Sequence, residues 1–310
     1  MIGRRGFLAR LALLPLGGTY APSIAHAAVP RRRLLCFTKS SGWEHSVVKR
    51  GPGDAPGLVE RAVTALGAHE GFDVTCTKDG GVFTPDGLRA YDAFLFYTTG
   101  DLAAPGTDKQ PPMPPGGKQA LLDAVRTGRG FVGVHSATDT FLTGPDPYAP
   151  ATRYAGHGAA IDPYLAMVGG EFIAHGAQQA APVRVADARF PGAAGVADGA
   201  PRLGEWYSLK DFAPDLHVVH VLDTAGMAGE DYRRGPYPVT WARRHGRGRV
   251  FYTAFGHREE EWADPALLGL LAGALRWAFG DAEADVRPTL KAAAPRAAEL
   301  PPAPPPLARP

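Results

Sequence analysis

Short apolar runs separated by amphipathic stretches set the pattern of this chain. Leu34 to Thr38, Phe72 to Cys76, Ala93 to Thr98 and Gly130 to Val134 are brief, rich in β-branched and aromatic residues, and bounded by turn-forming ones. They read as strands. Between the first two, Leu58, Ala62, Val63 and Leu66 recur at helical spacing, and Ala120, Leu121, Ala124 and Val125 do the same before Gly130. Strand, helix, strand in this order predicts right-handed crossovers and a parallel sheet. In the second half strands follow more closely, at Pro182 to Ala186, Leu216 to Leu222, Pro238 to Arg243 and Arg249 to Phe255, which predicts an extended or partly antiparallel edge. Leu267 to Phe279, with Leu268, Leu271, Leu275 and Trp277, closes the domain as an amphipathic helix. The expected fold class is α/β: a flavodoxin-like, doubly wound, mostly parallel sheet with helices on both faces.

In an open parallel sheet, ligands bind beyond the carboxyl ends of the strands. Those ends carry polar side chains here. Gly130 to Asp139 is an apolar strand that delivers one imidazole, His135, at the turn. Leu34 to Thr38 leads into Ser40-Ser41-Gly42-Trp43-Glu44-His45, Ala93 to Thr98 into Thr99-Gly100-Asp101, and Arg249 to Phe255 into Gly256-His257-Arg258. The pattern predicts that His45, Asp101, His135 and His257 meet at one edge of the sheet.

Taken together, these segments resemble the ThuA-like family, named for trehalose utilisation and related in fold to class I glutamine amidotransferases. The matching stretches are Gly42 to His45, Thr98 to Asp101, Gly130 to Asp139, Val168 to Phe172 with His175, Glu205-Trp206-Tyr207, and Pro238 to Trp241 through Gly248 to Tyr252 and on to His257. They follow the family's order across roughly residues 34 to 280. Two positions depart from it: Gly204 stands where the family usually has an acidic residue, and Phe190-Pro191 where it often has His-Pro.

The resemblance implies carbohydrate utilisation, with a sugar or glycoside as ligand and a sugar dehydrogenase as partner that supplies keto-glycosides. On that reading His135 and Glu205 exchange protons with the sugar. His45, Asp101, Asp139, His175, Tyr207 and His257 bind it. A carbonyl in the sugar acidifies the adjacent C–H, which suits a histidine base without a strong nucleophile. Trp43, Trp206, Tyr207 and Trp241 offer flat faces for a pyranose, although Trp206 and Trp241 also read as core residues on strands.

The turn after Val134 argues against amidotransferase chemistry. In those enzymes a cysteine at the strand-to-helix elbow attacks the amide carbon, whereas Gly133-Val134-His135-Ser136-Ala137 puts histidine there. Ser136 is displaced by one residue and lacks the flanking glycines of a serine elbow. Three readings stay open: an acid–base enzyme, a non-catalytic carbohydrate-binding or interaction module, and a metal-dependent hydrolase. No His-Glu-x-x-His motif supports the last, and its candidate ligands, His45, His135 and His257 with Glu205, come from scattered segments whose spacing gives no support, so no metal or cofactor is assigned. Capping or core roles are the alternatives for His45 and His175, while the remaining histidines, such as His69, His217, His220 and His245, receive none.

Composition adds the chain's setting. Of 310 residues 45% are hydrophobic and 21% charged, with a formal charge of +2, as expected of a single globular domain without a polyanionic partner. No basic run is interleaved with aromatics, which argues against nucleic acid. Residues 1–27 read as a twin-arginine signal peptide: Gly3-Arg4-Arg5-Gly6-Phe7-Leu8, an apolar stretch from Leu11 to Gly18, then Ala25-His26-Ala27. A membrane anchor needs about 20 consecutive apolar residues, and Pro15, Gly17, Gly18 and Pro22 interrupt this run. The expected organisation is a signal over 1–27, a ThuA-like domain over 34–281 and a Pro/Ala-rich disordered tail over 282–310, in a periplasmic protein with no membrane span in the mature chain. A second proline-rich stretch, Gln110 to Gly117, is expected at the rim of the pocket. Cys36 and Cys76 fall on neighbouring strands, where buried thiols or an oxidised pair are both open.

Overall fold

A computed structural model describes residues 31–304; the expected signal peptide and the last six residues lie outside it. The described residues contain eleven strands and seven α-helices, with short 3-10 turns between them. The first four strands are β1 (Arg33–Phe37), β2 (Asp73–Thr77), β3 (Ala93–Phe96) and β4 (Gly130–Val134). They alternate with helices α1 (Leu58–Glu70), α2 (Pro85–Leu88) and α3 (Gly117–Arg126). There follow α4 (Pro150–Arg153), α5 (Pro163–Val168), β5 (Glu171–His175), β6 (Gln179–Val185), β7 (Pro201–Gly204) and β8 (Tyr207–Lys210). The chain ends with β9 (His217–Leu222), β10 (Tyr237–His245), β11 (Gly248–Thr253), α6 (Pro265–Phe279) and α7 (Leu290–Ala293).

Nine strands form one sheet in the order β2-β1-β3-β4-β11-β10-β9-β6-β7, and β5 pairs with β8 in a separate ribbon. From β2 to β11 every pairing is parallel. From β11 to β7 every pairing is antiparallel. The division follows the sequence: crossover helices separate the strands of the first half, whereas β10 and β11 are joined by a tight turn that only antiparallel neighbours can use, and a longer loop over 223–236 returns the chain from β9 to β10. β1, β3 and β4 are almost wholly buried, as their continuous apolar runs require of a sheet covered on both faces. α1 packs against α6, while α2, α3 and α5 pack among themselves, giving two helical groups around the sheet.

α6 shows how local chemistry sets an element's ends. Asp264 accepts a hydrogen bond from the Ala266 amide at its start, Pro265 occupies the first helical position, and Gly280 closes it at φ +85°. Between them Leu271, Leu275 and Trp277 are buried, anchoring the helix to the parallel strands.

Two sequence expectations change. Residues 282–304 do not form a free tail: Thr289 bonds to the backbone of Leu216 and Val218, Ala294 and Ala297 are buried, and the Ala297 carbonyl accepts from Arg234 at 2.7 Å. Alanines carry too little apolar surface to register as a periodic pattern, yet they fit where backbone packs closely. The Gln110 to Gly117 stretch is likewise not at the cleft. It packs beneath the second-strand loop, where Gly80 bonds to the Pro111 carbonyl and Lys39 Nζ to the Gln110 carbonyl.

Cys36 and Cys76 sit opposite one another on β1 and β2 as free thiols. No helix among the described residues is long and apolar enough to cross a membrane.

Candidate functional site

Three strand-end loops interlock at the carboxyl edge of the parallel half. The Ser41 amide donates to the Thr99 carbonyl, Thr99 Oγ1 donates to the Trp43 carbonyl, and the Gly100 amide donates to the Asp139 carbonyl. Gly100 makes this possible. Its φ is +73°, and a Cβ there would come within 2.6 Å of the Gly42 amide nitrogen. Below, a buried ion cluster fixes the first loop, with Asp108 accepting from the Ser40 amide at 2.8 Å beside Lys39 and Lys78. Lys78 also reaches the Thr38 carbonyl and Glu44. This scaffold presents Trp43 to solvent at 74% exposure and turns His45 inward at 4%. The His45 side chain makes no capping bond, which removes the capping alternative.

His135 stands at the elbow after β4 with φ +46°, a conformation rare for a residue with a Cβ. It is fully buried, and its Nδ1 lies 3.0 Å from the Ala254 carbonyl, which fixes the proton on that nitrogen and turns Nε2 inward. Ser136 beside it is also fully buried with an unpartnered hydroxyl, out of reach of any substrate.

Glu205 arrives from the turn between β7 and β8. Trp206 sinks into the core, donating to the Gln179 carbonyl at 3.0 Å, so the residue before it faces the opposite way. Glu205 Oε2 lies 3.3 Å from His135 Nε2 and 3.0 Å from His257 Nδ1, while Oε1 lies 3.4 Å from His175 Nδ1. The two imidazole nitrogens are 3.2 Å apart. His45 packs edge-on against both His135 and His257, and its Nε2 is 3.5 Å from the Tyr207 hydroxyl.

The electrostatics follow from this enclosure. Burial, reinforced by the neighbouring imidazoles, pushes His45 down to about 2, and burial also lowers His135 despite the opposing pull of Glu205. Burial works against the Glu205 carboxylate, but the imidazoles of His135 and His257 beside it outweigh burial and hold the group well below the usual range. Burial raises the Tyr207 phenol well above its ordinary value. His45, His135, His257 and Glu205 each offer one ligand atom, and all four lie within 4.8 Å of one another.

Above this cluster opens a cleft of ≈ 940 Å³, lined by Trp43, Lys49, Tyr148 and Arg153 together with His45, Asp139, His175, Glu205, Tyr207 and His257. Asp139 is buried with Oδ1 unpartnered. Burial pushes its carboxyl up to about 7, with Arg153 drawing it down and Glu205 raising it. Arg153 spans the rings of Tyr148 and Phe172. A separate knot holds the segment that carries these two residues: Glu171 accepts from the Thr143 amide and hydroxyl and lies 2.9 Å from His157 Nδ1.

Seven of the eight sequence-derived candidates therefore gather at one place. Asp101 does not. It is exposed, caps the Ala103 amide at 2.9 Å, and lies outside the cleft because the left-handed turn at Gly100 sends the chain away. His175 faces the cleft, stacked on Tyr207 at 5.7 Å. Trp241 is core, as is Trp206. Of the two family departures, Gly204 lies against the Trp206 ring, and Phe190 stacks on Phe251 in the core. Arg153 and Tyr148 were missed, and only the aromatic in an otherwise Gly/Pro-rich stretch gave any signal.

A parallel sheet ordered β2-β1-β3-β4 with a strained elbow at the end of β4 defines an α/β protein of the glutamine amidotransferase-like class, in which histidine replaces the elbow thiol. The ThuA family model, described as trehalose utilisation, matches residues 33–278, and the chain belongs to that family. Solved structures agree on the fold. A ThuA-like protein from Bacteroides uniformis is 19% identical at TM-score 0.56, covering 83% of this chain and 95% of its own. One from Parabacteroides merdae is 16% identical at TM-score 0.52, covering 86% and 97%. A search of curated proteins returns no match.

Proposed function

We propose that the cleft binds a sugar, glycoside or keto-glycoside and acts on it by proton transfer. The observation that carries this reading is the pairing of exposed aromatic faces with buried carboxyls. Trp43 and Tyr148, 74% and 49% exposed, are two of the three large hydrophobic residues that lie open to solvent among those described, and both line the cleft. Flat apolar faces beside hydrogen-bonding groups suit pyranose rings.

His135 and Glu205 form the reactive centre, with His45, His175, Tyr207 and His257 around the ligand. Asp139 is the group placed to exchange a proton. Its carboxyl titrates near neutrality, where a general acid or base works best. His135 has no exposed surface, so it acts through Glu205 and His257. In a keto-glycoside the sugar's own carbonyl acidifies the adjacent C–H, whose proton passes to the ionised Asp139 carboxylate as base.

The family's link to trehalose utilisation supports carbohydrate as the substrate class, and a sugar dehydrogenase is the partner whose product has the required carbonyl. The twin-arginine pattern at Arg4 and Arg5 supports a periplasmic setting. Incubating the protein with glycosides and 3-keto-glycosides, with Asp139→Asn as control, tests the reading. Turnover that Asp139→Asn lowers by about 100-fold or more is expected. Binding without turnover would leave a carbohydrate-binding module, and neither would refute the proposal.

A further inference from the structure

We propose that His45, His135, His257 and Glu205 form a divalent transition-metal site, with zinc the best match to three imidazoles and one carboxylate. Ligand bonds of about 2.0–2.2 Å around a tetrahedral ion place neighbouring donor atoms about 3.3 Å apart. Glu205 Oε2 lies 3.3 Å from His135 Nε2 and 3.0 Å from His257 Nδ1, and these two nitrogens are 3.2 Å apart. One ring nitrogen of His45 completes a set whose members all lie within 4.8 Å of one another.

Three further features fit. His135 directs its other nitrogen to the Ala254 carbonyl at 3.0 Å, the outer-shell bond by which a ligating imidazole is oriented. Glu205 has only imidazoles as cationic partners within 4 Å among the described residues, with no lysine or arginine to balance its charge. His45, 4% exposed, leaves its Nδ1 without a hydrogen-bond partner. Glu205 and His257 also line the cleft, so substrate approaches the ion from that side. A metal there polarises a carbonyl or hydroxyl oxygen as a Lewis acid. The cluster then serves as ligands, and proton exchange falls to Asp139.

The competing arrangement is a hydrogen-bonded cluster. The Gln178 amide nitrogen lies 3.0 Å from His257 Nε2, and if it donates there, His257 carries its proton on Nδ1 and gives it to Glu205.

The test uses the full chain without a polyhistidine tag, expressed in medium supplemented in turn with zinc, manganese, cobalt and iron(II), dialysed, and assayed for metal by mass spectrometry. About one equivalent per chain is expected, with a visible cobalt spectrum and a melting temperature that falls on chelation and returns with the ion. Glu205→Gln and His257→Asn should each lower metal affinity by at least 100-fold while keeping the far-ultraviolet circular dichroism of the parent. Sub-stoichiometric metal in every medium, no cobalt spectrum and no thermal shift in the parent would overturn the site. Retention of metal by both variants would overturn the ligand assignment. The inference is separable from the sugar reading: metal-free protein that converts a glycoside refutes only the former, and metal-loaded protein that ignores sugars refutes only the latter.

Discussion

Replacing Asp139 with Asn should reshape the pH dependence of stability. The carboxyl is buried, its Oδ1 is unpartnered, and its folded-state value is pushed from 3.8 up to about 7 by burial. Arg153 lowers it and Glu205 raises it, while Tyr148, Tyr207 and Tyr252 are the other titrating groups that sense its charge. The folded chain therefore holds a proton between pH 4 and 7 that the unfolded chain has released. Where the native state binds more protons, stability falls as pH rises. One pKa unit corresponds to about 1.36 kcal/mol, so the parent should lose about 3 kcal/mol between pH 5 and 8 through this group alone. Asn cannot ionise and escapes that loss.

The assay is urea unfolding of parent and variant at pH 5, 6, 7 and 8 with chelator present, so that bound metal does not shift the carboxyl. Taking the difference between the two proteins cancels every other titrating group. Relative to the parent, Asp139→Asn should gain stability by about 3 kcal/mol from pH 5 to pH 8, with most of the change below pH 7. Parallel profiles would show that Asp139 ionises normally and would remove it as the proton-exchanging group.

Trp43→Ala changes an exposed side chain, so melting should hardly move, but affinity for a bound glycoside should fall about tenfold, roughly 1.4 kcal/mol, by calorimetry; unchanged affinity would take the sugar away from this face. Ending the chain at Gly280 strips the Ala297 carbonyl from the buried Arg234 and the Thr289 bonds from β9, so unfolding should become easier by about 2–4 kcal/mol. A truncated chain as stable as the parent would mark residues 282–304 as dispensable. Replacing Arg4 and Arg5 with Lys should leave unprocessed precursor in the cytoplasm on fractionation; normal processing would point to another export route.

How far the sequence reveals the site depends on which force placed each residue. The buried parallel strands were legible because continuous apolar runs have few alternatives, and their ends located His45, His135 and His257. Asp101 also follows a strand, but its direction depends on one backbone angle at Gly100, which hydrophobic pattern does not encode. Arg153 and Tyr148 escaped because the segment between β4 and β5 is held by the Thr143–Glu171–His157 knot, a set of contacts between separate segments. The packed residues after α6 were misread for a related reason: small side chains at close backbone approaches look like linker. The gathering of the three histidines was legible from their strand ends, but the close approach of Glu205 and the donor-atom spacing of the four were not, because they come from four separate turns with no sequence spacing to count.

The central claim is that this cleft is a carbohydrate site, and saturable binding tests it most directly. Titrating the metal-replete protein with a panel of glycosides and their 3-keto forms, by calorimetry with parallel product analysis, should yield at least one ligand whose binding Trp43→Ala weakens and whose conversion Asp139→Asn abolishes. Absence of saturable binding across the panel, from protein shown to be folded and metal-loaded, would contradict it.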